Sequence, residues 1–348
     1  MKKGFALVMA SMMALSLTAC GGNGSSATTA ADTSAADTKA EGTTAAASAD
    51  KIGLAGSGKE LIFTTGGDQG TYYGFGSVLA GQISDMTDTT VTAIVGKGSK
   101  GNIEAMDAGD AQLGFVQSDV MAYAYNGTNL FDGAKVDGFS TVAALYMEQV
   151  QIVTLNPDIK TVADLKGKTV SVGDSGSGVY FNALDCLGAY GLTIDDITPT
   201  YQSFGDSVEA MQDGKIDAAF IVAGAPTTAV TSLAATRKVY LVELDDEHID
   251  KLIETSPYYS KYTIAKDAYG LDADATTVAV GAVVVARDDV DENDIYNVVA
   301  GIYDSIDTLG HDKKNELDLD FAASVTAVPY HKGAAKYFAE KGLTVPTK

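Results

Sequence analysis

The sequence predicts an α/β protein of two similar lobes that face each other across a ligand cleft, and three observations carry that prediction. Past about residue 58, short apolar runs alternate with amphipathic stretches, the pattern of parallel α/β sheets. The body then repeats itself weakly at an offset of 105 to 108 residues. Each repeat opens with a strand that runs into a glycine-rich turn and then a helix.

The N-terminal elements bear on location. Lys2 and Lys3 precede an apolar run from Phe5 to Leu17, too short for a stable membrane span and suited to an export signal. Its end, Leu17-Thr18-Ala19-Cys20, looks like the lipobox of bacterial lipoproteins. Residues 1–20 are therefore read as a lipoprotein signal peptide, with Cys20 as the lipidation site and first mature residue. The competing reading is an ordinary cleaved signal with a chance cysteine. Two or more acyl chains suffice for anchoring, which places the protein outside the cytoplasm, tied to the cell membrane in a periplasm or on an outer face. Residues 21–57 are mostly Gly, Ser, Ala, Thr and Asp. They cannot bury enough apolar surface to offset their ordering entropy, and a disordered tether spanning roughly 30–35 Å is expected. Cys186 is the other cysteine of the chain, so the mature body has no internal disulfide and must rest on its core. Its apolar surroundings predict a packed thiol.

The body has length enough for two domains. Glu104-Ala105-Met106 matches Glu209-Ala210-Met211, and Gly109 matches Gly214 as a helix C-terminal glycine before a strand (Ala111 to Val116, Asp217 to Val222). Upstream, strand Leu61 to Thr64 enters Gly66-Gly67-Asp68-Gln69-Gly70 and then Tyr72-Tyr73. Strand Thr169 to Val172 enters Gly173-Asp174-Ser175-Gly176-Ser177-Gly178 and then Tyr180-Phe181. Such turns lie at the carboxyl ends of parallel strands, let a ligand approach the backbone, and present the N–H groups and positive dipole end of the next helix. Two of them facing each other favour a carboxylate or another anion. The formal charge of −22, from 46 acidic and 24 basic residues, argues against nucleic acid and anionic membrane as ligands.

Three enzyme-like strings fail on context. Gly53 to Glu60 nearly matches a P-loop, but Glu60 replaces the magnesium-binding hydroxyl and the string precedes the first strand. Gly173-Asp174-Ser175-Gly176 resembles a protease nucleophile motif, yet His248, His311 and His331 all come later in the chain. Gly96-Lys97-Gly98-Ser99-Lys100-Gly101 follows strand Val91 to Val95, matches G-x-G-x-x-G and has Asp119 about twenty residues on. The helix after it, from Asn102 to Ala108, is short, and an exported lipoprotein meets little nicotinamide cofactor. An exported dinucleotide-dependent enzyme is thus the weaker alternative to anion binding by the same loop. No spacing suits a metal, and the pairs Asp195-Asp196, Asp245-Asp246 and Asp288-Asp289 are read as helix-start acids.

Thr65-Gly66-Gly67, Gly70, Tyr72-Tyr73 and Gly76 resemble the TAXI family of TRAP-transporter solute receptors. So do Gly98-Ser99 with Asn102, Gly109 and Asp110, then Gly114 leading into Val116-Gln117-Ser118-Asp119 and Ala124-Tyr125-Asn126-Gly127. The second lobe adds Asp164 to Lys168, Val170 to Gly173, Gly176-Ser177-Gly178, Asp213-Gly214, Ile216 to Phe220, Ala223-Gly224 and Pro226-Thr227. The resemblance implies a type II periplasmic-binding-protein fold, with crossovers near Gln149–Thr154 and Thr277–Ala286. Lobe one then covers 58–149, lobe two 150–276, and 277–348 returns to lobe one with helices around Asp294–Leu309 and Gly333–Lys341. It also implies a receptor with no enzymatic activity, cofactor or metal, serving TRAP membrane permease subunits driven by an ion gradient. Family members are linked to glutamate, glutamine and other small carboxylates.

From these loops and strings the expected ligand-binding residues are Thr65, Gly66, Gly67, Gly70, Thr71, Tyr72, Tyr73, Lys97, Gly98, Ser99, Gln117, Ser118, Asp119, Ser175, Gly176, Ser177, Gly178, Ala223 and Gly224. The ligand is a small anionic metabolite. One of Tyr72 and Tyr73 covers it while the other packs on its lobe. The sequence departs from the family at Gly96-Lys97-Gly98-Ser99, where two lysines, Lys97 and Lys100, either face the cleft or point to solvent. Arg237 and Arg287 are the only arginines and neither lies in a binding loop. Backbone amides and hydroxyls must then receive the carboxylate. A lipoprotein serving an ATP-driven importer is the alternative with the same fold and mechanism.

Overall fold

The computed structural model describes residues 51–348; the signal segment, Cys20 and the tether up to Asp50 lie outside the described residues. Ile52 to Ser57 do not continue the tether. The Ile52 amide donates to the Met86 carbonyl at 2.8 Å, and Leu54 exchanges hydrogen bonds of 2.7 and 2.8 Å with the Asn297 side chain. A Cβ on Gly56 would stand 2.1 Å from the Asp88 carbonyl oxygen. Gly53 and Gly56 of the P-loop-like string serve close packing, and the folded body begins before residue 58.

Lobe one runs β1 (Glu60–Thr64), α1 (Thr71–Met86), β2 (Thr90–Ile94), α2 (Ser99–Asp107), β3 (Leu113–Gln117), α3 (Ser118–Asn126) and into β4 (Phe139–Thr154). Lobe two repeats the pattern with β5 (Thr169–Ser171), α4 (Val179–Ala189), β6 (Thr198–Thr200), α5 (Phe204–Gln212) and β7 (Ala218–Ala223). It continues with α6 (Thr228–Ala234), β8 (Tyr240–Val242), α7 (Asp246–Thr255) and β9 (Ser260–Ile264). β10 (Ala275–Arg287) returns the chain to lobe one, which α8 (Glu292–Tyr303), α9 (Leu319–Ala322) and α10 (Lys332–Glu340) complete. The repeat glycines end their helices as predicted. Gly109 after α2 has φ +87° and Gly214 after α5 has φ +69°, a region that glycine enters without the Cβ penalty.

All the strands join one sheet in the order β2-β1-β3-β10-β4-β7-β5-β6, with β8 paired to β4 and β9 to β10. The outer three strands of each end are parallel, while β10 runs antiparallel to β3, β4 antiparallel to β7, and β4 and β10 antiparallel to each other. β4 pairs with β10 from Phe139 to Gln149 and with β7 from Gln149 to Thr154. The change of lobe thus falls near Gln149 and Ala279, and these two continuous strands are the crossovers of the type II arrangement.

Each half-sheet is covered on both faces. In lobe one Phe63, Phe75, Tyr146, Ile295, Tyr337 and Phe338 form one core, and Ile103, Met106, Phe131 and Phe139 form the other. Phe181 of α4 joins this second cluster from lobe two, stacked 5.9 Å from Tyr123 and 6.2 Å from Phe131. In lobe two Val170, Leu187, Phe220 and Leu252 pack with Cys186, whose thiol burial pushes well above its usual range. Among the described residues no helix is long and apolar enough to cross a membrane. One local reading is corrected. Asp196 and Asp245 do sit at helix starts, but Asp288 and Asp289 precede the Asp291 cap of α8 and bind Ser140 and Arg287 instead.

Candidate functional site

Four helices begin around one cavity between the lobes: α1 and α2 from lobe one, α4 and α5 from lobe two. The cavity holds about 80 Å³, several times the roughly 10–15 Å³ that one water needs. Three of the four helices start on a glycine, Gly70, Gly98 or Gly178, that gives no side-chain cap, and none of the three carries an acid in its first turn. The fourth, α5, is capped by the Ser203 hydroxyl and carries Asp206. An uncapped first turn leaves N–H groups and the positive dipole end available to an anion. Glycine is needed at two of these positions for approach. Gly98 has φ +85° and lies against Ser177, which a Cβ would meet at 3.3 Å, and a Cβ on Gly178 would overlap the Gln117 side chain at 1.8 Å.

The lobes are closed on each other. The Gly101 amide of lobe one donates to the Gly176 carbonyl of lobe two at 2.9 Å. Gln117 Nε2 donates to Asn182 Oδ1 at 3.0 Å, and the Thr71 hydroxyl donates to the Gly224 carbonyl at 3.0 Å. The Ala229 amide donates to the Gln69 carbonyl at 3.3 Å.

Of the predicted residues, Gly66, Gly67, Gly70, Thr71, Tyr72, Lys97, Gly98, Ser99, Gln117, Ser177, Gly178 and Ala223 line the cavity. Of the two tyrosines, Tyr72 lines the cavity. It stacks on Phe115 with centroids 4.6 Å apart and donates its hydroxyl to Glu148 Oε2 at 2.9 Å, whereas Tyr73 is half-buried off the cavity. Lys97 is exposed at the cavity mouth; Lys100 turns away to pair with Glu104 and sits over Phe131. Six further residues do not line the cavity. Thr65 spends its hydroxyl on the Ile94 carbonyl (2.7 Å), and Ser118 accepts from the Gly281 amide (3.0 Å). Ser175 is exposed on the turn. Asp119, Gly176 and Gly224 serve lobe-to-lobe contacts through Asn182, Gly101 and Thr71.

Two buried polar atoms at the cavity lining have no partner among the described residues: Gln117 Oε1 and the Ser177 hydroxyl. A buried polar atom without a partner is costly, and a ligand can supply one.

The sequence reading missed Glu148, which stands on β4 at the cavity floor and is 2% exposed. Burial pushes its carboxyl up to about 8; the Tyr72 hydroxyl and Lys313 oppose the rise and the Asp119 charge adds to it. A signal existed: Glu148 is the only charged residue in the sixteen of β4. Lys313 is 4% exposed, pairs with Glu316, and donates to the Ala225 carbonyl at 3.0 Å above the Tyr146 ring. Gln202, Ser203, Phe204 and Val222 also line the cavity and carried no motif.

Comparison with known proteins bears on this architecture. The sequence profile of the NMT1-like family matches residues 63–342. A putative aliphatic sulfonates-binding protein of Escherichia coli (strain K12) is 43% identical over 70 residues, which is 20% of this chain; the match spans only 22% of that relative. Among solved structures, the periplasmic aliphatic sulphonate binding protein SsuA of Escherichia coli aligns with TM-score 0.43 and 19% identity over 82% of this chain and 91% of that one. PhnD1 of Prochlorococcus marinus (MIT 9301), in complex with methylphosphonate, aligns with TM-score 0.48 and 13% identity over 76% of this chain and 90% of that one.

Proposed function

The chain belongs to the NMT1-like family, and on that premise we propose that it is the extracytoplasmic solute-binding receptor of a TRAP-type secondary transporter. It binds a small carboxylate or amino acid, glutamate-like, and delivers it to the membrane permease subunits; Cys20 carries the lipid that holds it at the membrane. The observation that carries the ligand class is the convergence of three uncapped, acid-free helix starts from both lobes on one cavity. They receive the carboxylate without arginine, and Glu148 and Gln117 Oε1 in the same lining offer acceptors for an N–H group of the ligand. The TRAP and TAXI assignment rests on the motif strings of the two lobes. Nothing in this reading asks the cavity to perform chemistry.

A thermal-shift panel of amino acids, dicarboxylates, oxo acids and alkanesulfonates tests it. A ligand at about 100 times its Kd adds about 2.7 kcal/mol of stability, and L-glutamate or a related carboxylate should raise the melting temperature. Stabilisation by alkanesulfonates alone would favour a sulfonate ligand, which the 70-residue match to the sulfonates-binding relative supports; a receptor of an ATP-driven importer is the second reading of the transporter. Uptake in reconstituted vesicles with the neighbouring permease, driven by an ion gradient or by ATP, separates the two transporter classes.

A further inference from the structure

A set of polar side chains beside the cavity spans the two lobes without lining it. Asp119, in the first turn of α3, is fully buried; its Oδ2 accepts from Asn182 Nδ2 of α4 at 3.0 Å, and its Oδ1 has no partner among the described residues. Asn182 also donates to the Tyr259 hydroxyl at 2.7 Å, and Tyr259 donates to Asp185 Oδ2 at 2.9 Å. The titratable groups facing Asp119 are Tyr123 one turn along α3, Asp185 on α4, Tyr258 and Tyr259 before β9, and Glu148 on β4. Two of them are carboxyls and none is a cation. No ion pair reaches Asp119 among the described residues.

We propose that Asp119 takes up a proton from solvent as the lobes close, so that closure and proton binding are one coupled step. The inference rests on the reading of this chain as a receptor that opens and closes. Asp119 belongs to lobe one, while Asn182, Asp185 and Tyr259 belong to lobe two, so opening returns its carboxyl to water. In the closed form an ionised Asp119 would be a buried charge without a counter-ion, which is strongly disfavoured. Its Oδ1 would remain an acceptor with no partner among the described residues. A proton on Asp119 removes the charge. Burial, opposed by the Val120 N–H and helped by Asp185, pushes this carboxyl from 3.8 up to about 7. A raised carboxyl favours the closed form as pH falls, and the coupling acts between those two values.

Solution scattering on the full mature chain, without ligand, tests the coupling. The wild type should compact between pH 8 and pH 5, and Asp119→Asn, neutral at every pH, should show the same radius of gyration at both. Equal compaction in the variant, or none in the wild type, overturns the proposal. If Asp119→Asn does not fold, carbon-13 carboxyl titration of Gly178→Ala replaces it, because a Cβ there would overlap Gln117 of the opposite lobe at 1.8 Å and hold the lobes apart. Asp119 should titrate near 7 in the wild type and near its ordinary value in Gly178→Ala, and equal midpoints overturn the proposal. No ligand enters either measurement, so a failure to bind L-glutamate would count against the proposed function and not against this coupling.

Discussion

Replacing Gly178 by alanine should block closure while sparing the fold of either lobe. The residue has φ −69° and ψ −22° at the start of α4, a backbone that alanine adopts without strain. The new Cβ would stand 1.8 Å from Gln117 Oε1, 2.5 Å from Gln117 Cδ and 2.7 Å from Ser99 Oγ. Ordinary contact begins at 3.4 Å, and all three atoms belong to the opposite lobe. Either the lobes stop short of the closed form, or Gln117 swings away and gives up its bond to Asn182. Overpacking of this kind costs about 1–3 kcal/mol, which corresponds to a Kd weakened roughly 5- to 150-fold. Calorimetry with L-glutamate, paired with thermal melts of the ligand-free protein, reads the two effects separately. Affinity should fall while the ligand-free melting temperature stays within a degree or two of wild type. Undiminished affinity would refute the reasoning, because the interlobe contacts at Gly178 would then not belong to the bound state.

Three other changes probe the same architecture. Ser177→Ala should cost roughly 1–3 kcal/mol in ligand binding, since its buried hydroxyl has no partner among the described residues and would otherwise meet an ionised oxygen; equal affinity by calorimetry would move the carboxylate elsewhere. Burial raises Glu148 from 4.5 to about 8, so the native state keeps a proton that the unfolded chain releases, and stability falls as pH climbs between those values. Glu148→Gln should lessen that slope in urea midpoints taken at pH 5 and pH 8, leaving the share of Asp119; an unaltered slope would exclude Glu148 as a source. Cys20→Ser should move the protein from the membrane to the soluble fraction; retention at the membrane with wild-type mass would end the lipid-anchor reading.

Much of this architecture was legible because backbone geometry leaves marks in sequence. The glycine turns after β1 and β5 and the C-terminal glycines Gly109 and Gly214 each answer a local steric demand, so the two lobes could be read from their repeat. What the cavity contains was less visible. Thr65 and Ser118 look like site residues in a linear string, yet their hydroxyls are spent inside the fold on Ile94 and Gly281. Gly224 was expected at the ligand and instead receives Thr71 and lies against Lys313. These outcomes depend on which side chains three-dimensional packing brings opposite, and no local spacing encodes that. Glu148 marks the boundary between the two cases. A single carboxylate in a buried strand is a readable anomaly, but its purpose appears only when Tyr72 and Lys313 arrive from distant segments.

The sheet order carries a consequence for synthesis and export. Lobe two is an insertion, enclosed between β4 and β10, whereas the core of lobe one includes Ile295, Val299, Tyr337 and Phe338 from the last quarter of the chain. A chain that is threaded across a membrane from its first residue therefore cannot complete lobe one until nearly all of it has emerged. The inner lobe has its strands and core much earlier and should fold once the first half of β10 is out, since Val278 and Val280 belong to that core and β9 pairs with β10. On the proposed export route, late closure of the outer lobe would leave its leading segment unfolded for most of the journey. Pulse proteolysis of chains truncated before α8 should find lobe two protected and residues 58–149 still cleavable; protection of both would mean that the leading segment folds without its C-terminal partners.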